Sequence, residues 1–230
     1  MLRSKRDYND SNPIIEIGEL IFNLLILNVL WIICSIPIVT TGASATALNY
    51  TCIKMRRDEG DSIVKMFFRS FSRNIRQAVI LTTVMLIILI ILLGGLIQVL
   101  GIVNAGNLWA VVWLVLLVIL LLIWMILYTY IFMVLARFDN TIRRTLINAA
   151  YFAVTDLRST LMILSLETLT IIVLPTLLWT YVPYLFPMVI FFDMSFTTYM
   201  NAKVFDQMFE RYMPGEKKSN KAQTYKKQAK

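Results

Sequence analysis

The sequence predicts an all-α integral membrane bundle of about six membrane segments arranged as three helical hairpins. Three observations predict it. Hydrophobic residues make up 58% of the 230-residue chain and charged residues only 16%, where soluble globular proteins carry roughly 25% charged residues. Charge-poor blocks run from Leu20 to Ile53, from Gln77 to Ala136 and from Ser159 to Ala202, the last interrupted only by Glu167 and Asp193. All 22 Lys and Arg lie outside those blocks. A chain with mean hydropathy +0.70 cannot cover its surface with groups that suit water, so its solvent is a lipid bilayer.

Each block exceeds the roughly 20 apolar residues of one crossing, so each reads as a hairpin. Pro37 through Gly42 breaks the first block, because proline lacks a backbone donor and clashes with the preceding turn. Gly101 to Asn107 breaks the second, and Pro183 and Pro187 bracket a link in the third. The expected crossings are Leu20–Ile36, Thr41–Ile53, Ala78–Leu100, Leu108–Ala136, Thr160–Thr180 and Pro183–Ala202. The second is short. Even from Ile38 it rises only about 24 Å at 1.5 Å per residue, against a hydrocarbon core of about 30 Å. If Thr41–Ile53 is re-entrant, the crossings number five.

The basic residues orient the chain. Three precede Leu20, seven lie in 54–76, four in 137–158 and eight from Lys203 onward. With six crossings all of them fall on one face, which the positive-inside rule makes cytoplasmic. Both termini are then expected inside. With five, the amino terminus is outside. The start MLRSKRDYNDSNP is not expected to be a secretory signal, because no cleavage-like site follows the first apolar run. Residues 1–213 read as a polytopic membrane domain and residues 214–230, with six lysines and no periodicity, as a disordered cytoplasmic tail.

Between the first two blocks, SIVKMFFRSFSRNIRQ (Ser62–Gln77) places Lys65, Arg69, Arg73 and Arg76 on one helical stripe and Phe67, Phe68 and Phe71 opposite. That pattern predicts a basic amphipathic helix in the headgroup layer, its phenylalanines towards the acyl chains. Anionic headgroups are its expected partner, and docking a cytoplasmic protein is a second use. Arg137–Arg158 shows no such stripe and is expected to extend the flanking helices. The pI near 9.6 follows from membrane orientation, and no nucleic-acid partner is expected.

Inside the blocks, Gly42, Ala43 and Ser44 begin a small-residue surface suited to close helix packing. A broken segment lining a substrate path, with Pro37 at the break, is the alternative. Glu167 and Asp193 are candidate intramembrane functional residues, since a carboxylate in hydrocarbon faces a bundle interior or a wet cavity. Asn28, Asn49 and Gln98 are expected to bond between helices. The chain has no His, which excludes His-based triads, His zinc sites and an imidazole switch. Cys34 and Cys52 are too few for a disulfide framework. No P-loop, G-x-S-x-G or glycine-rich nucleotide motif occurs. No cofactor, metal or catalytic role is therefore expected.

NVLWIICSIPIVTTGASATALNY (Asn28–Tyr50), followed by FFRSFSRNIRQA (Phe67–Ala78), resembles the YesL-like family of bacterial membrane proteins of unknown function. The resembling features are Leu30–Trp31, Ser35–Pro37, Thr40–Ser44 and Phe67–Phe71, with a looser likeness over Leu135–Ala149 and Ser195–Phe205. Asp193 departs from the pattern, which would have a small or neutral residue there. The resemblance implies a multi-pass bacterial plasma-membrane protein linked to carbohydrate uptake by an ABC importer. Importer permease subunits or a sugar-binding protein are the partners it implies. It implies no catalytic residues.

Overall fold

The computed structural model describes residues 13–59, 62–104, 108–138, 140–181, 184 and 192–212. The described residues form helices and turns, with no strand among them. Helix α1 (Pro13–Ser35) leads through a 3-10 turn (Ile38–Thr40) into α2 (Thr41–Arg56). The long α3 (Ile63–Asn104) and α4 (Leu108–Arg137) follow, then α5 (Ile142–Thr155) and α6 (Leu157–Thr168). A π-helical turn (Leu169–Val173) joins α6 to α7 (Leu174–Tyr181), and α8 (Asp193–Tyr212) ends the described chain.

By length and composition α1, α3 and α4 can each cross a bilayer, and α5 with α6 makes a fourth candidate bent by 97°. Their exteriors are apolar, as at Ile21, Phe22, Ile90, Ile91, Val112 and Trp113, all well exposed. The protein is thus membrane-embedded.

Helix α2 differs from these in kind. It is short and rich in Ala, Ser and Thr, and it packs against α1, α3, α4 and α8. Gly42, Ala43, Ser44, Thr46, Ala47, Leu48, Asn49, Thr51, Cys52 and Ile53 are all buried. Gly42 allows the closest approach, because a Cβ there would collide with the Thr82 hydroxyl and the Phe132 ring. Four buried or part-buried polar side chains of α2 bond to the carbonyl one turn earlier. Ser44 donates to the Thr40 carbonyl, Thr46 to Gly42, Asn49 to Ala45 and Thr51 to Ala47. Thr40 caps the preceding break by donating to the carbonyls of Cys34 and Pro37, 2.7 Å each. Asn49 therefore bonds within its helix rather than between helices, whereas Asn28 does bridge, its Oδ1 accepting from the Ser195 amide at 3.3 Å.

The structure departs from the sequence expectation in two places. The basic segment is not a separate interfacial helix but the first turns of α3, which runs uninterrupted for 42 residues. No proline or glycine lies between Ile63 and Leu93, so the change from charged to apolar sequence alters the solvent and leaves the backbone hydrogen bonds intact. Second, residues 142–155 do not extend a neighbour. Asp156 breaks the chain, with φ −118° and ψ 72°, and caps α6 by accepting from the Ser159 amide, the usual work of an N-cap side chain. The last described helix starts at Asp193, and the expected start at Pro183 lies outside the described residues. The expected turn at Pro183 and Pro187, the centre of the Gly101–Asn107 break and the lysine-rich tail lie outside the described residues.

At one end of the bundle the helices are tied by charge and rings. Arg57, just after α2, forms a two-pronged pair with Asp206 of α8, with N–O distances of 2.7 and 3.2 Å. Arg211 of α8 reaches Asp156 at 3.1 Å. Phe209 meets Phe138, Phe152 and Phe205, with ring centroids 5.1, 4.6 and 4.4 Å away. Lys54, Arg56, Arg57, Arg137 and Arg211 gather on this side, where α2, α4 and α8 end.

Candidate functional site

The polar residues of α4, α6 and α8 meet in a seam. Before its terminal Arg137, helix α4 is apolar except where Tyr128, Thr129 and Tyr130 interrupt it. On α8, Asp193, Thr197 and Asn201 recur every four residues, and on the facing stretch Glu167 and Thr170 are three apart. Both spacings put each set on one helical face. Thr129 donates to Glu167 Oε2 at 2.9 Å, and Asn201 Nδ2 donates to Glu167 Oε1 at 3.3 Å. Glu167 thus joins three helices. Among the described residues no Lys or Arg forms an ion pair with it.

A second rung lies one turn earlier on α8. Thr197 donates to Thr170 at 2.9 Å and lies 3.3 Å from Asp193 Oδ1. Thr170 belongs to the π-helical turn that starts two residues after Glu167, and such turns recur at functional sites. Asp193 is half-buried in the first turn of α8, where the helix dipole favours a negative charge. That placement gives Asp193 a structural reason to exist.

Towards the basic end, the Tyr130 hydroxyl and Thr160 Oγ1 are 2.8 Å apart. Thr160 also reaches the carbonyls of Ala153 and Asp156, at 2.9 and 3.1 Å. Asp156 is 5% exposed and holds Arg211, whose side chain opens to solvent. Polar side chains therefore extend along the α6–α8 interface from Asp193 to the Arg211 surface. Thr129, Tyr130, Asp156, Thr160, Thr170, Thr197 and Asn201 were not singled out from sequence. The four-residue repeat on α8 and the polar triplet on α4 are the signals that mark them.

The other candidates lie elsewhere. Lys65, Arg69, Arg73 and Arg76 are exposed along one side of α3. Phe67 is fully buried and stacks on half-buried Phe71 at 6.3 Å, while Phe68 is exposed. The three phenylalanines thus do not form one surface. Phe67 belongs to the core with Leu27, Ala47, Leu48, Cys52 and Ala202. Arg73 lies over the Tyr50 ring at 5.7 Å. Helix α5 carries Arg143 and Arg144 beside exposed Ile147, Tyr151 and Val154, an amphipathic surface that sequence reading missed. Pro37 is exposed, whereas Gly42, Ala43 and Ser44 are packed inside.

These features define a membrane-embedded helical protein with a polar seam and a basic rim. Residues 24–96 match the model of a family described as a protein of unknown function, DUF624. The match covers the second half of α1, all of α2 and most of α3, and it leaves the Glu167 seam outside. No curated protein and no solved structure matches the chain.

Proposed function

We infer that the chain is a bacterial plasma-membrane protein that crosses the bilayer six times, both termini cytoplasmic. It acts without catalysis, as an accessory or assembly component of a carbohydrate ABC importer. The link to an importer rests on the YesL-like resemblance of Asn28–Tyr50 and Phe67–Ala78. The observation that carries a docking role is the start of α3. Its basic stripe and Phe68 face outwards while Phe67 anchors the same turns to α2, giving a partner a rigid surface. Helix α5, bent by 97° from α6, lies in the headgroup layer in this reading, with Arg143 and Arg144 at anionic lipids.

Purification from native membranes in mild detergent tests this. Importer permease subunits or a sugar-binding protein should remain bound in stoichiometric amounts. Phe68→Ala with Arg69→Glu should release them while the chain still inserts. Recovery of the chain without importer components would end the docking reading.

A second reading, a small secondary permease, is favoured by the placement of Glu167 and Asp193 on successive levels of one interface, Asp193 linked through Thr197 to Thr170. It requires ion-dependent flux in liposomes that falls in Glu167→Gln. The Pro37–Gly42 break adds little to such a path, because its hydroxyls are bonded to neighbouring carbonyls.

A further inference from the structure

We propose that the junction of α4, α6 and α8 binds a monovalent alkali cation, coordinated by Glu167, Asn201 Oδ1 and the Thr129 hydroxyl oxygen. Two independent observations point there. The first is the Glu167 carboxylate, drawn into the bundle by two donors and given no cationic partner among the described residues. A carboxylate removed from water without a counter-charge is strongly disfavoured. The second is Asn201, 1% exposed, whose amide oxygen accepts no hydrogen bond. Its amide nitrogen donates to Glu167, so the bare oxygen belongs to the same amide group that touches the carboxylate.

These observations together select the ligand. Turning the Asn201 amide over does not help, because an NH2 without an acceptor then takes the place of the bare oxygen. A proton on Glu167 neutralises the charge but leaves one end of the amide unsatisfied. A cation held between the carboxylate and the amide oxygen meets both needs. The Thr129 oxygen donates its hydrogen to Glu167 and keeps its lone pairs, so it completes a three-helix set of oxygen ligands. Oxygen-only ligands suit a hard cation. One carboxylate at this level balances one positive charge. Asp193, the other carboxylate of the seam, is engaged a turn away with Thr197. No cluster of three His, Cys, Asp or Glu occurs among the described residues, which fits a monovalent ion better than a divalent or transition metal.

The site stands apart from both functional readings, since a bound cation serves a scaffold as well as a permease. Its test is binding by the purified full-length chain, with no partner and no flux involved. Radioactive sodium binding and the Tm are followed while NaCl or KCl replaces choline chloride at constant ionic strength. The expected result is a saturable rise in Tm with one of the alkali ions. Sodium should bind, or potassium should displace it, at about one ion per chain. Glu167→Gln should abolish the response while keeping the Tm seen in choline. Thr129→Val, which removes one ligand, should weaken affinity about tenfold or more. Identical behaviour in choline, sodium and potassium would overturn the site. So would alkali binding of wild-type strength in Glu167→Gln or, should that variant fail to fold, in Thr129→Val.

Discussion

Helix α2 and the α4–α6–α8 seam both put polar residues inside a membrane protein, and they use them in opposite ways. In α2, Ser44, Thr46, Asn49 and Thr51 turn back to the carbonyl one turn earlier. They present only small, satisfied surfaces, which let neighbouring helices approach closely. In the seam, Thr129, Glu167, Thr197 and Asn201 bond across helices, and one amide oxygen remains bare. A polar residue in a membrane helix thus marks a site only when its own helix has not already satisfied it.

The largest expected effect lies in the packing half of the comparison. Gly42→Val drives a branched side chain into Thr82 and Phe132, and overpacking of this kind costs about 1–3 kcal/mol or more. Thermal unfolding in detergent should show a marked loss of Tm for Gly42→Val and a smaller one for Gly42→Ala. Equal stability of all three would mean that α2 does not approach α3 and α4 this closely.

A matched pair of valine substitutions sharpens the contrast. Thr129→Val removes a donor to a carboxylate, a bond worth about 1.5–3 kcal/mol when the acceptor is charged. Thr46→Val removes a bond to a carbonyl of its own helix, and that carbonyl keeps its place in the helical backbone ladder. The same unfolding measurement should rank Thr129→Val as the more harmful. A reversed order would erase the distinction between the two regions.

The smallest effect on stability is expected at the rim. Lys65→Glu with Arg69→Glu changes exposed residues, so Tm should move little, in keeping with surface changes within about 0.5 kcal/mol each. Co-purification of partners and of anionic lipid should nevertheless fall, since each basic residue near such a surface contributes about 1 kcal/mol. A large drop in Tm would assign these basic residues to the fold instead.

Much of the fold was legible in the sequence, for a local reason. Hydropathy and charge report the solvent of each segment, and they located α4 and the end of α1 to within a residue and the apolar part of α3 to within a few, while α1 starts seven residues before the expected Leu20. They misplaced the start of α3 as a separate helix, because a change of solvent resembles a change of element. They also missed the α5–α6 bend, although Asp156 followed by Ser159 carries an N-cap signal. Of the seam, Glu167 and Asp193 stood out because charges are rare in apolar blocks. Thr129 and Asn201 did not, because a threonine or asparagine among aliphatic residues looks the same whether it bonds its own helix or another.

The sequence by itself determined that the chain is helical, that lipid is its solvent and that its basic residues share the ends of its apolar segments. Each of these follows from properties that residues carry wherever they sit. Tertiary structure alone decided that Phe67 is core while Phe68 is surface and that Asp193 opens a helix. It also decided that Glu167 meets Thr129 and Asn201. Those facts depend on which helices become neighbours, through contacts between residues 34 and 38 positions apart along the chain.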